Sequence, residues 1–144
     1  MRVDFYQLSR DPAEAVLPLL AQKALAGGGR MLVVSESETQ LDHIGEALWS
    51  RKGTFLANGR AGGPHDARQP VLLSTRLDPA NGARFLVLAD GHWREGGQEF
   101  DRTFYLFDDG SLKAARECWM ALKGREGLTR HFWRQEGGRW LEAG

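Results

Sequence analysis

The sequence predicts an α/β domain in which helices cover both faces of a mostly parallel central sheet. Three observations predict it. Strand-like and helix-like segments alternate from the N-terminus: strand, helix, strand, helix, then further strands and a last helix. Residues 30–35 (RMLVVS), 70–75 (PVLLST) and 84–90 (RFLVLAD) are near-continuous apolar runs, as strands buried on both faces require. The chain of 144 residues, 42% hydrophobic and 26% charged, is large enough to bury one core and has the composition of a globular protein. Together these give a single domain over residues 1–144, three-layered and Rossmann-like.

The elements follow in order. Residues 3–8 (VDFYQL) form a first strand. Asp11 and Pro12 then open a helix, Asp at the N-cap and Pro at the first helical position. Val16, Leu19, Leu20 and Leu25 recur at helical spacing, and Gly27-Gly28-Gly29 stops that helix before the second strand, residues 30–35. Ser37 opens the next helix, which places Leu41, Ile44, Leu48 and Trp49 on one side. Residues 52–69, rich in Gly, Pro, Asn and Arg, form a long loop. Two strands follow, parted by the turn at residues 78–82, and then FDRTFYLFDD from Phe100 gives another. The last helix spans about residues 111–126, and Gly137-Gly138 divides an aromatic tail into a hairpin.

Charge and cysteine content narrow the function. Nineteen Lys and Arg balance nineteen Asp and Glu, whereas proteins that hold nucleic acid through its phosphates carry a basic excess, so no direct nucleic-acid partner is expected. One cysteine, Cys118, excludes an internal disulfide and a multi-thiolate zinc site, and suits a reducing compartment. The N-terminus has no signal-peptide core, and no apolar run approaches the ~20 residues of a membrane span, so a cytoplasmic protein is expected.

Catalytic constellations are not found. A Rossmann-type phosphate site needs glycines between the first strand and its helix, where this chain has Ser9-Arg10-Asp11-Pro12. No P-loop occurs. A phosphoryl-accepting receiver needs an acid pair after the first strand, and none stands there. His43, His65, His92 and His131 are scattered without a ligand partner at helical spacing. Cys118 reads as a structural thiol in mid-helix, and Asp108-Asp109 as carboxylates at a helix N-terminus. No metal or cofactor is expected. The alternative class is a flavodoxin- or Rossmann-like domain that binds a nucleotide or accepts a phosphoryl group.

The last helix carries a positive signal. Leu112, Ala115, Trp119 and Leu122 make one apolar stripe, bordered by Lys113, Arg116, Met120 and Lys123. Long cationic side chains at such a border rest their stems on apolar surface and keep their charges at its rim. Cations on rigid backbone beside an aromatic suit an acidic peptide with an apolar end and a C-terminal carboxylate. Trp49, Trp93, Trp119, Trp133 and Trp140 are too many for so small a core, which also favours a partner surface.

An ordered set of short motifs resembles the chi subunit family of bacterial DNA polymerase III. It comprises Phe5-Tyr6-Gln7-Leu8 and Leu41-Asp42 through Ala47-Leu48-Trp49, then Thr54-Phe55-Leu56. Ala115-Arg116-Glu117-Cys118-Trp119 is similar to the family's Ala-Arg-x-Arg-Trp-Lys helix, and Leu128-Thr129 through Phe132-Trp133-Arg134-Gln135 to its tail, with Gly138-Arg139-Trp140 after it. The resemblance implies a non-catalytic replication subunit with a nucleotide-binding-like fold that binds no nucleotide. Its implied partners are the acidic C-terminal tail of single-stranded DNA-binding protein and the psi subunit, which ties chi to the clamp loader. Arg116 and Trp119 match positions that line the family's tail site, and Trp49 and Phe55 match its apolar wall. The family's lysine after the tryptophan is Met120 here and its second arginine is Cys118, leaving Lys123 and Arg125 to supply the charge.

Overall fold

A computed structural model describes residues 1–9, 11–50, 56–136 and 139–143. Among them lie the strands β1 (Arg2–Gln7), β2 (Met31–Val34), β3 (Asn58–Arg60), β4 (Val71–Ser74), β5 (Phe85–Leu88), β6 (Arg102–Phe107), β7 (Thr129–Glu136) and β8 (Arg139–Glu142). The α-helices are α1 (Ala13–Ala26), α2 (Glu38–Ser50) and α3 (Leu112–Ala121). One sheet has the order β3-β4-β2-β5-β6-β1-β7-β8, with every pairing parallel except the antiparallel β7–β8.

The order fixes the layers. From β1 the chain moves outward to β2 and on to β3, so right-handed crossovers put α1 and α2 on the same face. It then reverses through β4, β5 and β6 and reaches β7 by way of α3, which must lie on the other face. The core divides accordingly: Val16, Leu17 and Leu20 of α1 pack with Leu41, Ile44 and Leu48 of α2 on one side, and Ala115 and Cys118 of α3, with its C-cap Leu122, pack on Phe5, Tyr105 and Phe107 on the other. All four residues of β2 and all four of β4 are buried, as their unbroken apolar runs predict.

Several local expectations are corrected. Pro12, not Asp11, is the N-cap of α1, and the Asp11 carboxylate instead accepts from Gln135 Nε2 at 2.7 Å. Leu19 is exposed, because Leu17, Pro18, Ala21 and Ala24 fill the inner face with Val16 and Leu20. The stretch read as a loop contains the edge strand β3, too short and glycine-containing to show as an apolar run. The strand expected from Phe100 starts at Arg102, and the last helix ends at Ala121, with Gly124 beyond it at φ +77. The predicted turn at Gly137-Gly138 lies outside the described residues. The start of α2 and the stop of α1 are as predicted: Ser37 Oγ accepts from Gln40 N at 3.1 Å, and Gly28 (φ +84) and Gly29 close α1 by donating to the Leu25 and Ala24 carbonyls.

Candidate partner-binding surface on the last helix

The helix α3 is started by a reciprocal cap. Asp108 Oδ1 accepts from Ser111 N and Ser111 Oγ accepts from Asp108 N, each at 3.2 Å, which holds one 3-10 turn before the helix proper. Its inner face is pinned by aromatic packing. Trp119 meets Phe5 edge-on at 5.2 Å and Phe132 at 5.7 Å, and the Arg130 guanidinium lies 3.9 Å over the indole while donating to the Trp119 carbonyl. Cys118 beside it is buried, and burial pushes its thiol up to about 12, so it stays protonated and unreactive near neutral pH.

The outer face is open. A groove of about 640 Å³ is lined by Asp109, Leu112, Lys113, Arg116, Glu117 and Met120. Met120 is 61% exposed and Leu112 is half-buried, so the floor is apolar. Lys113, Arg116 and Lys123 are exposed, and among the described residues none of them has an ion-pair partner. Such a surface offers charge-assisted hydrogen bonds next to an apolar shelf.

The residues singled out from the sequence are only partly gathered here. Arg116 and Met120 line the groove, and Lys123 follows in the turn after the helix. Trp119 sits one layer inward, where it anchors the helix under Arg130. Trp49, 41% exposed, stands at the end of α2, the helix whose inner residues Leu41, Ile44 and Leu48 pack on the other face of the sheet from α3. Phe55 lies outside the described residues. The sequence reading assigned Leu112 wholly to the core stripe, and overlooked Arg130, whose partner becomes visible only when β7 packs beside β1.

The opposite class of site is also visible. Where β1 and β6 lie side by side and send their chains to opposite faces, a cavity of about 410 Å³ opens at the strand C-termini, the usual place for a nucleotide in such sheets. Among the described residues its charged lining consists of Asp11, Glu14, Asp90 and Asp108, all carboxylates, which do not favour phosphate. Nearby, Glu36, Asp90 and His92 bring ligand-type atoms within 4.8 Å of one another. The two oxygens of Asp90 are already taken by both terminal nitrogens of Arg94 and by the backbone N–H groups of Glu36 and His92. Although burial opposes ionisation, those bonds hold the Asp90 carboxyl below its ordinary value, as an ion-paired anchor of the loop.

No helix among the described residues is long and apolar enough to cross a membrane. A search of curated proteins finds no match to this sequence. Comparison with protein families matches residues 1–129 to the family described as DNA polymerase III chi subunit, HolC. That match covers the whole sheet up to the start of β7 together with α3 and its groove, and the chain belongs to the DNA polymerase III chi subunit family.

Proposed function

We propose that this replication subunit binds the acidic C-terminal tail of single-stranded DNA-binding protein on the outer face of α3, and so links that protein to the polymerase and its clamp loader. The observation that carries the reading is the set of exposed cations, Lys113, Arg116 and Lys123, which have no ion-pair partner among the described residues, beside the apolar shelf of Leu112 and Met120. A tail carboxylate would take the guanidinium of Arg116, acidic residues would run along Lys113 and Lys123, and an apolar terminal side chain would rest on Met120. Trp119 would act through its hold on the helix. The psi subunit is the second partner proposed, with no surface assigned to it.

Fluorescence anisotropy with a labelled acidic peptide bearing a free C-terminal carboxylate tests this. Binding is expected in the micromolar range and should weaken with salt. Amidating the peptide terminus, or Arg116→Ala, should each raise Kd about tenfold, the cost of a lost charge-assisted hydrogen bond. Met120→Lys restores the family's cation and should tighten binding about threefold. Trp49→Ala should leave affinity unchanged, because α2 packs on the other face of the sheet from α3. Absence of binding at low salt sinks the reading.

A further inference from the structure

A second pocket, on the other face of the sheet from the α3 groove, has the chemistry of a small-ligand site. It lies under the C-terminal half of α1, with Leu20, Lys23, Ala24 and Gly27 on the helix side and Tyr6, Phe85, Arg102 and Phe104 on the sheet side. Three aromatic rings from three adjacent strands, β1, β6 and β5, therefore form one wall. Tyr6 and Phe104 have centroids 6.0 Å apart and tilted by 36°, and Phe85 is held where a Cβ on Gly29 would approach its ring to 2.1 Å. The volume is about 240 Å³. A cavity of roughly 150 Å³ accommodates benzene, so this one takes a single ring with a short arm and excludes a nucleoside phosphate.

Among the described residues, Lys23 and Arg102 are the charged groups in the lining, both cationic. Lys23 has no ion-pair partner among the described residues, and Arg102 lies 4.5 Å over the Phe104 ring with its Nε donating to Asp4 at 2.8 Å. Asp4 also accepts from Arg2, so one carboxylate is shared between two guanidiniums. The C-terminus of α1 would repel an anion, but the carbonyls of Ala24 and Leu25 are already taken by the N–H groups of Gly29 and Gly28. Among the described residues, this pocket is lined by cations where the cavity at the strand C-termini is lined by carboxylates.

We propose that this pocket binds a small monocyclic aromatic carboxylate, its ring against Tyr6, Phe85 and Phe104 and its carboxylate between Lys23 and Arg102. The reading is independent of the tail-binding surface, which lies on the opposite face.

The test is a ¹H–¹⁵N NMR titration of the full chain with 3-phenylpropionate. Shifts should be confined to the second half of α1 and to the neighbourhood of Tyr6, Phe85 and Phe104. 3-Phenylpropionamide, which keeps the ring and loses the charge, should bind about tenfold more weakly, and butyrate, which keeps the charge and loses the ring, should give no localised shifts. Lys23→Gln, at an exposed position, should weaken binding several-fold, and Ala24→Leu, which fills the pocket from the helix side, should abolish it while Arg116→Ala leaves it unchanged. Equal affinity for the amide, shifts centred on α3, or wild-type binding by both pocket variants would overturn the proposal. Tighter binding at this pocket by a peptide C-terminus than by the free carboxylate would overturn it too, by reassigning the occupant.

Discussion

Asp4 shows how much one residue can organise. Its side chain is 0% exposed, yet it accepts from Arg2, from Arg102 Nε at 2.8 Å and from Trp133 Nε1 at 2.9 Å. Burial opposes ionisation, and the bonds from Arg2, Trp133 and Arg102 outweigh it, so the carboxyl is held below its ordinary value. Trp133→Phe keeps a ring against Tyr6 and removes one donor from a buried charge. It should cost about 2 kcal/mol, read from urea denaturation. Nothing in the segment VDFYQL announces this role, since two of the three partners, Arg102 and Trp133, stand 98 and 129 residues away. The burial of Cys118, by contrast, was legible from its place in a short amphipathic helix.

Helix and strand identities follow from local chemistry, and the departures have local causes as well. Gly27-Gly28-Gly29 reads as a stop, and the structure shows why the third glycine is needed: a Cβ on Gly29 would stand 2.1 Å from the Phe85 ring and 3.2 Å from the Ala24 carbonyl. Gly29→Ala should therefore destabilise by about 1–3 kcal/mol, as other overpacked positions do, with a lowered urea midpoint at unchanged slope. The early end of α3 was hidden because Lys123, Arg125 and Glu126 are good helix formers, whereas Gly124 takes a left-handed conformation that ends the element. At this scale the candidate surface was half legible. Helical spacing placed Arg116 and Met120 on one border and Trp119 on the stripe that meets the sheet, but it could not show Arg130 lying over the indole.

For the molecule as a whole, pH dependence follows from the two carboxyls, Asp4 and Asp90, held below their ordinary value of 3.8. Their folded pKa lies below the unfolded one, so the unfolded chain takes up more protons as the pH drops. The stability they contribute is complete above about pH 4 and is lost as the pH falls through the folded values. Urea midpoints measured from pH 7 downward should stay level with respect to these groups and then fall steeply below about pH 4, and Asp4→Asn should flatten that acid limb. The sequence by itself determined the α/β class, the parallel strands, the capped and glycine-stopped helices and the cationic border of α3, because each depends on chemistry within a few residues. Only the tertiary structure decided the order β3-β4-β2-β5-β6-β1-β7-β8, and with it which face each helix covers. That order sends the helices carrying Trp49 and Arg116 to opposite sides of the sheet, surrounds Asp4 with its donors and gathers three rings and two cations beneath α1. The reason is physical: side-chain periodicity records which residues must be buried, whereas the handedness of each crossover and the point where the chain reverses settle against what they are buried.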